Sequence, residues 1–401
     1  MNTVAHGVQQ ARGGKNHTLA LLALAINAFG IGTTEFVIVG LLSTVAQDVN
    51  VTITLAGLLI SGYALGVAVG APVITALTSR IPRKTLLLLL MVFFTVGNSV
   101  AALSSSFSLL LIARFFTAFS HGVFFSIGST IAADLVPENK RASAIAMMFT
   151  GLTVATVTGV PLGTFIGQMF GWRATFWGVA LLGLIALICT ALLVPNNQKK
   201  AKPASVKDQV KILTNGRLLL VYAITALGYG GTFVAFTYLS PILEEITGYQ
   251  ASAVSLILLV YGLAIAIGNT FGGKVANQHP IRALLWMFAV QAVILVVLSM
   301  TAPYQVAGTI TIVLMGLLAF MNVPGLQLYV VQLAEKYEPG AVDVASAFNI
   351  AAFNLGIAIG AFVGGIVVDT IGLIHTPWIG GVMVLGAVVL TAISGKLEKT
   401  A

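Results

Sequence analysis

Twelve long apolar runs fill this chain, and their length constrains the fold more than any other feature. They lie at roughly 18–42, 52–77, 85–104, 107–134, 142–168, 174–194, 217–240, 252–275, 281–302, 305–332, 343–369 and 376–395. About 20 helical residues cross the hydrocarbon core of a bilayer, and each run is about that long. Membrane strands need only about 10 residues and alternate in character. The fold class is therefore all-α integral membrane, with twelve transmembrane helices. Of 401 residues, 58% are hydrophobic and only 8% charged, against about 25% charged in soluble domains. The polar segment before Leu19 holds Arg12 and Lys15 and could pass for the head of a signal peptide. The run behind it is too long for a signal core, so it reads as an uncleaved first helix. The single cysteine, Cys189, allows no intrachain disulfide.

A net charge of +8 would suit a nucleic-acid partner, but its placement excludes one. Of 20 Lys and Arg residues, all but Arg114 and Arg173 fall on one side if the N-terminus is cytoplasmic. That is the positive-inside pattern. It puts both termini in the cytoplasm, with the chain embedded in a lipid bilayer. The longest linker on the basic side, Pro195 to Asn215, carries five lysines and Pro203. It divides the chain into residues 1–194, a linker 195–216, and residues 217–401, with six spans in each half.

A repeat supports that division. Tyr63-Ala-Leu-Gly-Val-Ala-Val-Gly70 in span two matches Tyr261-Gly-Leu-Ala-Ile-Ala-Ile-Gly268 in span eight, 198 residues on. A basic loop with a proline follows each, and Ala142-Ser143-Ala144 matches Ala345-Ser346-Ala347. Parallel repeats of this kind mark secondary transporters. The repeat aligns Glu35 with Phe233 and Arg114 with span ten, which holds no charged residue, so neither charge has a counterpart in the second half.

Glu35 is the only charged residue in span one, where an ionised side chain costs roughly 2.5–3.5 kcal/mol on insertion scales. It and Arg114 each lie about seven residues below the outer end of their runs, roughly 10 Å deep, so they can meet if spans one and four are neighbours. A nearby cation favours the carboxylate, and burial favours the acid. A proton site is one reading, and a static ion pair between helices is the other. His121 lies two turns below Arg114 on nearly the same face. A relay or substrate contact and a hydrogen-bonded packing histidine are equally compatible with it. No histidine–carboxylate spacing suits a metal, and no catalytic triad or phosphate loop is present, so the chain is not read as an enzyme.

Three stretches carry a family resemblance: Thr33-Thr34-Glu35-Phe36, His121-Gly122-Val123-Phe124-Phe125 and Ala352-Phe353-Asn354-Leu355-Gly356. With six plus six spans and a basic middle loop, the chain resembles the major facilitator superfamily. Within it, the chain looks like the twelve-helix drug/proton antiporters and their sugar-efflux, arabinose-efflux-like branch. The resemblance implies the major-facilitator fold and associates Arg114 with proton transfer. Gly159-Val160-Pro161-Leu162-Gly163, with Gly167, is similar to the antiporter motif of span five and implies export. The family motif's adjacent Gly-Pro is broken here by Val160. The family fold also implies that spans two, five, eight and eleven line the seam between halves. Their glycine ladders (Gly62, Gly66, Gly70; Gly159, Gly163, Gly167; Gly356, Gly360, Gly364) are then expected to smooth that seam.

The loop after span two, Ser79-Arg80-Ile81-Pro82-Arg83-Lys84, is similar to the superfamily's gate loop but lacks its acid. A charge-based latch is not expected there. Ser79 and Asn277 are candidate helix caps, and topology alone accounts for Arg80, Arg83 and Lys84.

Polar and aromatic side chains within the spans must find partners or a wet cavity. Asn27, Thr34, Phe36, Tyr63, Tyr229, Phe233, Phe236, Tyr261, Asn322, Asn349 and Asn354 are the candidates for a substrate cavity, with helix–helix bonding the alternative for each asparagine. The expectation is a proton-coupled exporter of small molecules working by alternating access. It would be monomeric, without a cofactor, and driven by the proton gradient. Uptake of a sugar or nucleoside, and a membrane sensor, are the other readings.

Overall fold

The structure, a computed structural model, describes residues 2–51, 53–56, 58–196 and 206–399. Among these there is no strand. Every apolar run forms a helix long and apolar enough to cross a membrane. The chain divides into two compact units, residues 1–203 and 204–401. Part of the linker, residues 197–205, lies outside the described residues. The rest is not all loop, since Val206–Thr214 is helical.

Unit 1 contains α1 (Asn2–Asp48), α2 (Leu58–Leu77), α3 (Arg83–Leu103), α4 (Phe107–Asp134), α5a (Arg141–Val154), α5b (Val160–Phe170) and α6 (Trp172–Leu193). α1 packs on α5a and α6, α2 on α4, and α3 on α6. Unit 2 contains α7 (Gly216–Phe236), α8 (Ala251–Ala276), α9 (Pro280–Thr301), α10a (Gln305–Ala319), α10b (Val323–Tyr337), α11 (Val342–Thr370) and α12 (Thr376–Lys399). Here α7 packs on α11 and α12, α8 on α10a, and α9 on α12. The scheme of the first unit is thus repeated in the second.

Local chemistry sets where several helices begin and break. The Ser106 hydroxyl accepts from Leu109 N–H at 3.3 Å and starts α4. Asn215 accepts from the N–H groups of Arg217 and Leu218 and starts α7. Proline supplies no N–H and clashes with the preceding turn. Just before Pro161 the helix widens into a π-turn, Ala155–Gly159. Before Pro324 span ten breaks outright at 320–322.

The glycine ladders pack against helices of their own unit. A Cβ on Gly66 or Gly70 would meet Phe115 or Phe119 of α4. On Gly159, Gly163 and Gly167 it would overlap Thr33, Val37 and Leu41 of α1. On Gly356, Gly360 and Gly364 it would run into the α7 backbone between Ala226 and Val234. Each ladder is consumed inside its own unit, because the absence of a side chain lets two helix backbones approach.

The gate loop also departs from expectation. Arg83 is buried, and its Nη1 lies 2.8 Å from Asp134 Oδ2 at the end of α4. Lys84 Nζ donates to Ala191 O at 2.9 Å. An ion pair is therefore present here, its acid supplied from span four rather than from the loop, and Asp134 is more than a solvated helix end. Arg80 is exposed. Ser79 and Asn277 start no helix: the residue before α3 is Pro82, the one before α9 is His279, and Asn277 ends α8.

At the opposite end of unit 1, Arg173 donates to Asp48 Oδ2 at 2.6 Å and to Ser104 O at 3.0 Å, and stacks over the Trp172 ring. The lone basic residue on the sparsely charged side is thus neutralised. The bond from Arg173, helped by one from Trp172, holds the Asp48 carboxyl below the usual carboxylate range.

Candidate functional site

Glu35, Tyr63, Arg114 and His121 come together inside unit 1. α1 carries Glu35 and stays helical through Asp48, well past the predicted end of span one. α4 carries Arg114 and His121 two turns apart. The expected level match holds, because Arg114 reaches α1: its Nη1 donates to Thr34 O at 3.0 Å. Its Nε donates to Leu59 O, at the start of α2, also at 3.0 Å. The guanidinium lies over the Tyr63 ring at 4.9 Å. Its remaining nitrogen, Nη2, is buried and has no acceptor among the described residues.

The expected direct pair of Glu35 with Arg114 is not what forms. The side chain beside the Glu35 carboxyl is His121, with Nδ1 3.6 Å from Oε2. Backbone oxygens of α1 and α2 take the bonds of the guanidinium instead. The same Nδ1 lies 3.4 Å from the Tyr63 hydroxyl, and Phe125 packs on the imidazole at 5.0 Å between centroids. A carboxyl and a phenol therefore converge on one imidazole nitrogen, beside a guanidinium that stays charged. Such a cluster offers a proton two sites, the carboxyl and the ring.

Two predicted cavity residues of span one turn elsewhere. Asn27 is fully buried, and its Nδ2 donates to Ala23 O at 2.6 Å and to Thr190 Oγ1 of α6 at 2.8 Å. Thr34 Oγ1 donates to Asn98 Oδ1 of α3 at 2.6 Å. Both join helices rather than face a cavity, because an unsatisfied amide or hydroxyl among apolar helices is costly. Phe36 is half-buried. Gly159 packs its backbone on Thr33, two residues from Glu35, and Gly163 and Gly167 continue that contact. The π-turn and Pro161 therefore lie along the helix that carries the acid.

In unit 2 the predicted aromatics form one cluster. Tyr229 packs on Phe233, Phe320 and Phe353 at 5.0, 5.5 and 5.0 Å. Phe233 meets Phe236, which stacks on Tyr261 with an interplanar angle of 16°. The Tyr261 hydroxyl and Asn322 Oδ1 are buried without a partner among the described residues. Asn349 is instead helix–helix bonding: Thr225 donates to its Oδ1 at 2.7 Å, and its Nδ2 donates to Gln327 Oε1 at 2.9 Å. Gln327 in turn donates to Ser346 at 2.5 Å. Asn354 donates to Ile350 O in its own turn.

The family model described as Major Facilitator Superfamily matches residues 24–343. The chain belongs to the Major Facilitator Superfamily. It is 63% identical over 385 residues to the MFS-type transporter YtbD of Bacillus subtilis (strain 168), covering 96% of this chain and 97% of the relative. It is 40% identical over 379 residues to the inner membrane transport protein YdhP of Escherichia coli (strain K12), covering 94% and 96%. Among solved structures, the human organic anion transporter MFSD10 (TETRAN) superposes with a TM-score of 0.76 at 16% identity, covering 94% of this chain and 99% of that one. That likeness concerns the fold. As a Major Facilitator Superfamily member, the chain is a multi-pass membrane transporter and not an enzyme.

The sequence did not assign Thr190 and Phe320 to these clusters, and it offered Phe125 and Phe353 only within family motifs. Asn322-Val323-Pro324-Gly325 was a legible signal of the break beside Phe320. Nothing local pointed to Thr190, whose partner Asn27 is 163 residues away.

Proposed function

We propose that the protein is a proton-coupled antiporter that exports small molecules across the bacterial inner membrane by alternating access, with both termini cytoplasmic. Glu35 takes a proton from outside and gives it up inside. The observation that carries this reading is the arrangement around the carboxyl. Two nitrogens of Arg114 are taken by the carbonyls of Thr34 and Leu59, and the titratable side chain beside the carboxyl is an imidazole at 3.6 Å. The carboxyl is therefore not locked into a guanidinium pair and can exchange a proton. Export rests on the Gly159 to Gly163 pattern, and the topology rests on the one-sided basic residues. The aromatic cluster of Tyr229, Phe233, Phe236 and Tyr261 suits a weakly polar or amphiphilic solute. The transporter works as a monomer, without a cofactor, on the proton gradient.

The test is substrate-driven proton movement in proteoliposomes. Glu35→Gln is expected to abolish coupling while leaving exchange of substrate across the membrane measurable. Unchanged proton movement in that variant would sink the assignment. Counterflow under imposed gradients of either sign separates export from uptake.

A further inference from the structure

The end of unit 2 where basic residues gather contains a cleft of 480 Å³ between the start of α9, α10b and the end of α12. Arg282, Lys336, Lys396 and Lys399 line it, against a single carboxylate, Glu398. That carboxylate is already engaged. Arg217 pairs with it, Lys336 Nζ lies 3.1 Å away, and the Tyr337 hydroxyl donates at 3.0 Å. The cleft is left with a surplus of positive charge. Its remaining wall includes the apolar Ile281, Leu285 and Leu333.

Arg282 also heads a second feature. Residues four apart share one helix face, and the face starting at Arg282 continues through Trp286, Val290 and Ile294. Those three line an apolar groove of 350 Å³ with Phe271 of α8 and with Leu317 and Met321 of span ten. From Trp286 to Ile294 is about 12 Å of helix, comparable with one leaflet of a hydrocarbon core about 30 Å thick. Trp286 is half-exposed and lies one turn in from Arg282, the depth at which tryptophan anchors a helix to the headgroup layer.

We infer that this end of unit 2 binds one anionic phospholipid, its phosphate in the basic cleft and an acyl chain in the groove along α9. Basic pockets between membrane helices on the cytoplasmic side hold such headgroups. A free phosphate ion would use the cleft and leave the groove idle. The groove, aligned with the cleft through Arg282, is what favours the lipid. Its inner wall, Leu317 and Met321, borders the break in span ten, where Gly268 and Gly272 of α8 sit directly on the backbone. A bound chain would brace the two halves of that broken helix. This inference does not depend on the direction of transport or on proton coupling.

The experiment uses the full-length protein in nanodiscs of phosphatidylcholine, with or without phosphatidylglycerol of the same chains. The readouts are thermal midpoint and lipid retention in native mass spectrometry. Phosphatidylglycerol is expected to raise the midpoint and to be retained as one molecule. Arg282→Gln with Lys399→Gln, both at exposed positions, is expected to lose that gain and keep the wild-type midpoint in phosphatidylcholine. Val290→Phe, which fills the groove and spares the cleft, is expected to lower retention. Equal midpoints in the two lipids, or an undiminished gain in both variants, would overturn the site. Glycerol 3-phosphate reproducing the full gain in phosphatidylcholine would replace the lipid with a soluble anion.

Discussion

Single residues in this chain are placed by what their polar atoms can reach. Arg83 and Asp134 stand 51 residues apart in sequence and form a pair with 8% and 14% of their side chains exposed. Removing one member of a pair this buried costs about 3–5 kcal/mol, because the other charge is left desolvated. Asp134→Asn is therefore expected to lower the thermal midpoint of the purified protein. Adding Arg83→Gln should recover part of the loss, and strictly additive losses in the double-mutant cycle would refute the coupling. Asp48 gives a pH-dependent counterpart. Its folded carboxyl titrates below the ordinary range because Arg173 and Trp172 donate to it. Its stabilisation is complete above the unfolded pKa of about 3.9 and is lost as pH falls through the lower folded value. Asp48→Asn should flatten the acid side of a stability–pH curve and leave the neutral side the same shape. An unchanged acid limb would contradict it.

At the scale of elements, glycine decides how close helices come. A Cβ on Gly360 would overlap the Gly230 carbonyl, and one on Gly268 would overlap the Leu317 carbonyl. Backbone cannot move aside as a side-chain tip can, so Gly360→Ala and Gly268→Ala should each cut the yield of monodisperse protein severely. Gly178 of α6 has nothing within 4 Å of its Cβ position. There Gly178→Ala should be neutral or stabilise by up to about 1 kcal/mol, since alanine is the better helix former. Equal losses at all three positions on size-exclusion chromatography would refute the distinction. The twelve helices themselves were legible in the sequence, because a bilayer demands a fixed length of apolar chain. Which way each helix faces was not. A continuous apolar run has no polar face to orient it, so Asn27 and Thr34 read as cavity residues although they bond to α6 and α3. The ladders were visible as glycine every fourth residue, but their partners belong to other helices.

For the whole molecule, the two units repeat one packing scheme, and their chemistry diverges. The 198-residue repeat already paired Glu35 with Phe233 and Arg114 with the uncharged span ten. The structure adds that the acid, imidazole and phenol meet in unit 1, while unit 2 gathers its aromatics around Tyr229. The convergence on His121 was only half legible. The sequence offered the helix face shared with Arg114, and only the fold could bring Tyr63 to the same nitrogen. If the proton chemistry belongs to unit 1 alone, His121→Asn should shift the pH dependence of transport. Tyr229→Ala should change substrate preference and leave that pH dependence in place. A matching pH shift in both variants would count against the division.

One feature of the site bears on how this protein will look in mutational surveys. Arg114 holds α1 and α2 through the carbonyls of Thr34 and Leu59. Every residue type offers a carbonyl at those two places. Exchanging either side chain therefore leaves the acceptor in position, whereas exchanging Arg114 removes both bonds at once. A deep substitution scan should record one intolerant position and no compensating partner for this link. Methods that infer contacts from correlated substitutions will pass over this tie among the three helices.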